Sequence, residues 1–389
     1  MNENRPGSEK CLLCGSSDLQ VVYADPKARM VTSDCRAWPY AASVVVCVAC
    51  SHLQKRVNDE LNRQTAAVYS QYSLYDLSDG GEQQLFGGPG QDGPKTRSGQ
   101  ILERLQRAVG LPASGTMLDV GCGNGAMVEA FGKSFPAWKL FGYEQNSKYR
   151  KRVMDLPGVM GFYEERLERV DREFDLITAI HVLEHVKKPE PFLVALQNLI
   201  TPQGVLVIEV PDAASNPFDM IVVDHYSHFS SNVLSSLVRG LGYEVLVCAT
   251  DWVAKEITLV LRRGAPTRQG SDSNTAMPDL LKRYHQHAEW LRHVIEVAAG
   301  HATSSRLGVF GTAIAGTWLG AVLGDGVRFF VDEDMMRVGK THLGKPVVHP
   351  SQLTPADRVF LAFPYPIAER LHDRLSSMSS AQFLLPPLV

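Results

Sequence analysis

The run MLDVGCGNG at residues 117–125 constrains the fold of this chain more than any other segment. Its apolar half predicts a buried strand, and a helical pattern begins directly after it at Ala126. Between the two, glycines let the backbone pass close to a ligand where a Cβ atom would collide. These glycines are Gly121, Gly123 and Gly125. A strand, a glycine-rich turn and a helix in this order predict a nucleoside-binding turn.

The segments around this turn alternate between strand and helix patterns. Helical spacing is found from residue 126, over 189–200 and over 231–240. Apolar runs predict the strands TMLDV, KLFGYE, FDLITAI and GVLVIEV, and then a hairpin of YEVLVCATDW and EITLVLRR. This order predicts an open, mostly parallel sheet with helices on both of its faces.

An acidic residue, Glu144, ends the strand that follows the turn, where a carboxylate can accept the protons of both ribose hydroxyls. With Asp119 before the glycines, the pattern Asp-x-Gly-x-Gly-x-Gly resembles the first motif of class I methyltransferases, which use S-adenosylmethionine (SAM). It lacks the Gly-x-Gly-x-x-Gly spacing of the dinucleotide-binding fingerprint. The resemblance continues along residues 174–212.

That resemblance implies SAM as the cofactor and assigns further residues to its site. Glu164 or Glu165 would fall near the adenine, and we take Glu165 as the candidate. His181 would lie beside SAM. Because His181 and His185 are four residues apart, a metal site at this pair is an alternative interpretation.

Composition and charge restrict the class of partner. At 389 residues the chain is too long for one ordinary core. Its formal net charge of −3 gives no overall attraction to nucleic acid or anionic membrane. No apolar run approaches the roughly 20 residues of a membrane span, and the polar start MNENRPGSEK lacks the apolar stretch of a secretory signal. We therefore expect a cytoplasmic protein with a small-molecule substrate and no nucleic-acid or membrane partner.

Seven cysteines, an odd number without an export signal, argue against a disulfide framework. Four of them form two Cys-x-x-Cys pairs, a spacing that suits tetrahedral Zn²⁺. The pairs are Cys11 with Cys14 and Cys47 with Cys50. Four thiolates leave no open coordination position, so we expect a structural zinc; buried free cysteines are the alternative.

Changes of pattern along the chain predict five parts. Residues 1–60 carry the cysteine pairs and form a zinc-binding module, and residues 61–98, rich in tyrosine and glycine, form an arm or lid. Residues 99–263 form the SAM-binding domain, and residues 264–300 a polar linker and a long amphipathic helix. Residues 301–389 show strand, glycine turn, helix and strand again, which predicts a smaller α/β domain.

This order of parts resembles the sugar C-methyltransferases of deoxysugar biosynthesis over essentially the whole chain. It implies an α/β fold in which a Rossmann-like class I methyltransferase domain is flanked by an N-terminal zinc-binding module and a C-terminal Rossmann-like α/β domain. Those enzymes act on nucleotide-linked 4-keto-6-deoxysugars. A base removes the proton next to the ketone, and the enolate attacks the methyl group of SAM, which requires a positioned base and a stabilised oxyanion.

The same resemblance implies a set of catalytic residues. His225 in VVDHYSHFSS is the candidate general base, and Asp224 is the candidate carboxylate that orients it. His185 corresponds to a histidine near the substrate. Tyr72 corresponds to a tyrosine on the arm that donates a hydrogen bond to the substrate.

Two positions depart from the family pattern. Val222 stands where the family has a tyrosine, and Tyr226 and His228 either compensate for this or face solvent. Ala315 stands where the C-terminal turn has a lysine, which weakens a role in binding an anion. The residues that either retain a nucleotide pocket there or simply wall off the cleft are Gly311, Gly316 and Asp332.

Three functions therefore stay open at this point. The first is C-methylation of a nucleotide-linked keto sugar or a similar activated metabolite. The second is O- or N-methylation of another specialised metabolite, which Val222 and Ala315 would permit. The third is a non-catalytic SAM-binding partner protein, which would bind SAM tightly without methyl turnover. Neither the acceptor atom nor the stereochemical outcome follows from residue types.

Overall fold

The structure, a computed structural model, describes most of the chain. The described residues are 9–25, 29–72, 82, 84–85, 95–265, 277–302 and 306–388. Much of the predicted arm after Tyr72 and most of the predicted polar linker lie outside these ranges. Within them, none of the helices combines the length and apolar character that a membrane crossing requires.

The strands lie in three groups along the chain, each of which builds most of one large sheet. Their bounds are β1 Leu19–Tyr23, β2 Met30–Val31, β3 Ala37–Trp38, β4 Val44–Cys47, β5 Leu53–Lys55, β6 Gln84–Leu85, β7 Lys95–Thr96, β8 Thr116–Val120, β9 Lys139–Tyr143, β10 Val159–Tyr163, β11 Phe174–Ile180, β12 Ile200–Pro211, β13 Ser227–His228, β14 Tyr243–Ala249, β15 Glu256–Arg263, β16 Arg306–Phe310, β17 Phe329–Val331, β18 Thr341–His342, β19 Lys345–Val348, β20 Asp357–Leu361 and β21 Gln382–Leu384.

Helices separate most of the strands of the second and third groups. Their bounds are α1 Asp59–Ser70, α2 Arg97–Val109, α3 Ala126–Ser134, α4 Arg150–Met154, α5 Pro189–Asn198, α6 Ser231–Gly240, α7 Met277–Ala302, α8 Ile314–Leu323 and α9 Tyr365–Met378. Two short 3₁₀ turns, Leu183–His185 and Pro217–Ile221, matter for the site.

The central sheet has seven strands in the order β10-β9-β8-β11-β12-β15-β14. The first five are parallel, and β15 runs antiparallel between β12 and β14. Met117 and Leu118, adjacent residues on the middle strand β8, are both fully buried, since helices cover both faces of the sheet. The Rossmann-like sheet and the final hairpin are thus confirmed.

A four-stranded sheet in the order β1-β4-β5-β13 carries the N-terminal residues. Its fourth strand does not come from the N-terminus, because β13 pairs antiparallel with β5, His228 facing Leu53. The third large sheet has six strands in the order β18-β19-β17-β16-β20-β21. All of its pairings are parallel except that of β18 with β19.

One apolar cluster joins the three parts of the molecule. It includes Met30 of the N-terminal strands, Phe218 of the 3₁₀ turn, and Trp290 and Trp318 of α7 and α8. The Phe218 ring lies edge-on to both tryptophans, with centroid distances of 5.4 and 5.8 Å. Burial of this cluster fixes the N- and C-terminal sheets around the open ends of the central strands.

Candidate active site

A cavity of about 2310 Å³ opens where the three sheets meet. Small-molecule pockets usually measure about 300–1,000 Å³, so this one has room for two ligands side by side. Its wall takes residues from the N-terminal, central and C-terminal parts of the chain. The main contributors are the turn after β8, the loop 33–37, the end of α1, the turn 311–316 and the loop 332–334.

The glycine turn predicted from the sequence forms one end of this cavity. Gly121, Gly123 and Gly125 have φ values of +71°, +49° and +87°, a region that favours glycine. A Cβ atom on Gly121 would lie 2.5 Å from Cγ2 of Val182. The turn therefore requires glycine at Gly121 both for its backbone angle and for space.

Two carboxylates stand at the strand ends beside this turn. Glu144 accepts the backbone N–H groups of Gly123 at 3.2 Å and Asn146 at 3.1 Å, and it lines the cavity. Asp119 is buried and accepts the Thr178 hydroxyl at 2.6 Å, and burial raises its pKa to about 7. A carboxylate has about four lone-pair sites, so Glu144 retains acceptors for two ribose hydroxyls. The turn and its acids fit the nucleoside and amino-acid ends of SAM.

His181 lies at the mouth of β11 with a φ of +54°. Its Nδ1 is 3.0 Å from Glu184, and its Nε2 is 3.6 Å from Glu209 and 3.7 Å from Glu256. Burial and Arg97 lower the pKa of His181, but the three glutamates outweigh them and raise it to about 9. His181 is thus a cation held by carboxylates on the cavity wall. Among the residues that the structure describes, the groups of potential metal ligands do not include it.

Glu165, the candidate adenine contact, lies away from the cavity. Its side chain is 70% exposed and pairs with Arg169 at 3.0 Å. The 3₁₀ turn that follows presents Leu167 and Glu168 to the cavity instead. The geometry gives Glu165 no contact with a ligand bound at the turn after β8.

The candidate base His225 lines the cavity and is held by a carboxylate that the sequence did not identify. Its Nδ1 lies 2.7 Å from Oδ1 of Asp219, whose Oδ2 lies 2.7 Å from Nδ1 of His228. Burial lowers the pKa of His225, but the hydrogen bond and charge of Asp219 outweigh it and raise the pKa above its usual value.

Asp224 does not orient His225, which corrects the sequence prediction. Its carboxylate accepts the backbone N–H of Ser33 at 2.9 Å and the Ser33 hydroxyl at 2.5 Å. The chain turns between the two residues, so that adjacent side chains point to different neighbours. Asp224 therefore anchors the loop 33–37 to the segment that carries the base.

His185 and Tyr72 both lie on the cavity wall, and His185 is next to His225. The His185 ring meets the His225 ring edge-on at 4.6 Å, and its Nδ1 lies 3.0 Å from the backbone oxygen of Asp224. Burial lowers the pKa of His185, and the charge of His225 lowers it further, so a neutral ring is favoured. The Tyr72 hydroxyl lies 3.4 Å from the Ser33 hydroxyl.

The two residues considered as replacements for the missing tyrosine do not line the cavity. The Tyr226 hydroxyl lies 2.8 Å from Oγ1 of Thr65 in the interior. His228 is buried between Asp219 and Lys55, and neither His228 nor Tyr226 lines the cavity. Both alternatives predicted from the sequence are therefore wrong, since the two side chains supply no polar group to the cavity and do not face solvent, their exposed fractions being 8% and 1%.

The C-terminal side of the cavity has a second glycine turn, but the acid beside it, Asp332, already accepts hydrogen bonds from the protein. Gly311 has a φ of +89°, and a Cβ atom on Gly316 would lie 1.9 Å from the Gly311 oxygen. Asp332 accepts the backbone N–H and the hydroxyl of Thr312 at 3.2 and 2.7 Å. Arg337 donates to the same hydroxyl at 2.9 Å. The other oxygen of Asp332 accepts the backbone N–H of Asp334 at 3.0 Å, so both oxygens of the acid that would otherwise bind a ribose already accept hydrogen bonds.

The four paired cysteines come together beyond the end of β4. The Sγ atoms of Cys11 and Cys50 lie 3.5 Å apart, as do those of Cys14 and Cys47, and all four thiols are free. A disulfide requires about 2.05 Å, whereas ligands 2.3 Å from a tetrahedral Zn²⁺ lie about 3.8 Å apart. The donor set fits a Cys₄ zinc site.

Comparisons with known proteins match the segment of the chain that forms most of the central sheet. A family described as methyltransferase domain matches residues 95–247. A ubiquinone biosynthesis O-methyltransferase from Maricaulis maris is 27% identical over 113 residues, which cover 28% of this chain and 44% of that enzyme. The match thus spans less than half of the relative's own length.

Similar solved structures include other methyltransferases. A SAM-dependent methyltransferase from Clostridium acetobutylicum is 10% identical with a TM-score of 0.37, covering 53% of this chain and 99% of its own. An amino pentose methyltransferase from Micromonospora echinaspora, involved in calicheamicin biosynthesis, is 17% identical with a TM-score of 0.34, covering 43% and 92%. The family match and the glycine turn carry the assignment: residues 95–247 form a class I, SAM-dependent methyltransferase domain.

Proposed function

We propose that this protein transfers a methyl group from SAM to the carbon next to the carbonyl of a nucleotide-linked keto sugar or a similar activated metabolite. One observation carries the proposal. His225, a buried imidazole whose Nδ1 is held by Asp219, lines the same cavity as the SAM-type turn. Its Nε2 is the nitrogen left to take a proton, which suits a general base.

The reaction needs a proton acceptor first. His225 takes the proton from the carbon next to the ketone, and the C–H electron pair moves onto the carbonyl oxygen as an enolate. The negative charge of Asp219 stabilises the imidazolium that forms, as a carboxylate does in other histidine-based sites. When bound at the turn after β8, SAM supplies the electrophilic methyl group for the enolate carbon and leaves as S-adenosylhomocysteine.

The enolate oxygen needs a hydrogen-bond donor. Tyr72 is our candidate, since its hydroxyl lies on the cavity wall with Ser33 as a neighbour. His185 is an unsuitable donor through Nε2, because a neutral ring that donates from Nδ1 to the Asp224 oxygen leaves Nε2 as an acceptor. We therefore assign His185 to positioning the substrate beside His225.

The size of the cavity supports a large substrate. The volume of about 2310 Å³ accommodates a nucleotide sugar next to SAM. Basic residues line the C-terminal side, where Arg370 is exposed and Arg374 forms a bidentate pair with Glu333. Because Ala315 on this wall carries no charge, we assign the diphosphate to the Arg370 side of the cavity.

We further propose that residues 1–60 bind one structural Zn²⁺ through the four paired cysteines. The Sγ distances of 3.5 Å support this assignment. The ion would staple the ends of short strands that bury little apolar surface alone. No step of the reaction passes through it.

Exchange of the substrate proton with solvent tests the proposed base without requiring methyl transfer. The purified protein is incubated in D₂O with nucleoside-diphosphate 4-keto-6-deoxysugars and S-adenosylhomocysteine, and deuterium at the carbon next to the ketone is followed by NMR. Wild type should exchange the proton, and His225→Gln should slow exchange by about 10²–10⁴-fold. His372→Gln, on the exposed face of α9, is the matched control and should exchange normally. Equal exchange by both variants would remove His225 as the base.

O-methylation of another small molecule is the second candidate. The similarity to a ubiquinone biosynthesis O-methyltransferase over 113 residues favours it, as does Val222, which removes an expected polar group from the site. The same His225 could deprotonate a hydroxyl. Labelled methyl groups separate the two: ¹³C chemical shifts distinguish a methyl group on carbon from one on oxygen.

A further inference from the structure

Behind His225 lies a row of hydrogen bonds that leads away from the cavity into the interior. It runs from His225 to Asp219, from Asp219 to His228, and from His228 to Lys55, with distances of 2.7, 2.7 and 3.1 Å. Lys55 and His228 are buried, their exposed fractions being 0% and 1%. Burying a lysine amine costs free energy unless hydrogen bonds compensate for the lost water, and here one of the compensating partners is a histidine.

The donors and acceptors in this row can be assigned from Asp219. Its pKa is lowered, because although burial raises it, the two histidines outweigh burial, so the carboxylate is ionised and only accepts. Both Nδ1 atoms that face it must therefore carry protons. Burial lowers the pKa of His228 to about 4, so its ring is neutral and its Nε2 must accept. Lys55 is the group that donates to this Nε2, and it also donates to the Met220 oxygen.

We infer that His228 and Lys55 are positioning residues that hold Asp219 in the orientation in which it fixes the tautomer of His225. With Lys55 donating to its Nε2, His228 donates from Nδ1 to Oδ2 of Asp219, and this keeps Oδ1 directed at Nδ1 of His225. The proton of neutral His225 is thus kept on Nδ1, and Nε2 faces the reaction as a base. This inference rests on the proposed function in one respect, that His225 is the base.

The strand pairing explains how the row is held. Lys55 ends β5, and its backbone N–H donates to the Tyr226 oxygen at 3.0 Å. His228 lies on β13 opposite Leu53 of the same strand. Asp219 belongs to the 3₁₀ turn 217–221, whose Met220 oxygen receives Lys55. Lys55 and His228 are thus held by contacts between segments far apart in the sequence.

Two substitutions at His228 test the inference. Glutamine has an amide N–H that can donate to Asp219 and an oxygen that can accept from Lys55, whereas leucine has neither. We expect His228→Leu to lower the rate of proton exchange by about 10–100-fold, less than the roughly 10²–10⁴-fold that a general base contributes, because His225 itself is retained. His228→Gln should recover most of this rate, to within about five-fold of wild type. The buried His287, which lies outside the cavity, supplies the control His287→Leu, expected to exchange at the wild-type rate.

Lys55 is tested by the same logic. Lys55→Gln keeps a donor for His228 and should retain more exchange activity than Lys55→Met, which leaves the buried Nε2 of His228 without one. Affinity for S-adenosylhomocysteine should change by less than about three-fold in all folded variants, since the row does not touch the turn after β8. Equal losses in the glutamine and leucine variants of His228 would overturn the inference.

A readout without substrate separates this inference from the proposed function. Long-range ¹H–¹⁵N NMR of the histidine rings reports which nitrogen of His225 carries the proton. We expect the Nδ1–H form in wild type and His228→Gln, and a mixture of tautomers in His228→Leu. If wild type exchanges no keto-sugar proton, the proposed function fails and the NMR result still decides the tautomer. An Nε2–H form in wild type would refute the positioning role.

Discussion

Replacement of Glu144 by glutamine probes the cofactor site through a single charge. In the structure the carboxylate accepts two backbone N–H groups, from Gly123 and Asn146, and retains acceptors for two ribose hydroxyls. A hydrogen bond to a charged acceptor contributes about 1.5–3 kcal/mol and a neutral one about 0.5–1.5 kcal/mol. The two ribose bonds should therefore lose about 2–3 kcal/mol together, which corresponds to a roughly 30- to 150-fold weaker Kd.

Isothermal titration calorimetry with S-adenosylhomocysteine measures this loss directly. Glu165→Gln is the matched control, because the same change is made on a side chain that is 70% exposed and paired with Arg169. We expect its Kd to stay within about two-fold of wild type, a difference of about 0.4 kcal/mol. An affinity of Glu144→Gln within three-fold of wild type would falsify the ribose assignment. A large loss in Glu165→Gln would restore the adenine contact predicted from the sequence.

Three further outcomes are expected. Elemental analysis should find about one Zn per chain, and Cys47→Ser should lower both the zinc content and the unfolding temperature. Cys248→Ser, which alters an exposed thiol outside the cluster, should change neither, and metal-free protein of full stability would contradict the assignment. The exchange rate should fall as the pH falls through a midpoint above about 6.5, because His225 acts as a base only when unprotonated and Asp219 raises its pKa; a midpoint below that value would count against the pairing. Gly121→Ala should lower the free energy of unfolding by more than the roughly 1–3 kcal/mol that left-handed backbone strain alone costs. Gly110→Ala, at a φ of +63° with open space around it, should show only that strain, and equal losses for the two variants in denaturant titrations would argue against a clash with Val182.

Sequence patterns predicted the glycine turn and the acid of the cofactor site, which are formed by segments close together in the chain. The turn from Gly121 to Gly125 and the acid Glu144 are separated by one strand–helix–strand unit, so their relation follows from secondary structure alone. The edge strand β10 was missed, because its residues are mostly half-exposed and Gly161 interrupts the apolar pattern. No continuous apolar run marks it.

Contacts between distant segments were not readable from the sequence. Ser33 meets Asp224 across 191 positions, and Lys55 meets His228 across 173. The partner of His225 lies only six positions away, but in an irregular 3₁₀ turn that has no period to follow. Because Asp224 is next to His225 in the chain, the sequence favoured Asp224 as its partner. In the structure the carboxylate that contacts His225 is that of Asp219.

Strand β13, which comes from the central part of the chain, links the cysteine cluster to the surroundings of the candidate base. Through β4 and β5 it connects the residues around Cys47 to those around His228. A chimera that exchanged residues 9–56 with a relative would replace the metal ligands and Lys55 in one cut, and a truncation at the same point would leave an edge of β13 unpaired. Substitutions in the cysteine sheet should therefore co-vary with those around the base among relatives, although the two lie in separate parts of the linear sequence.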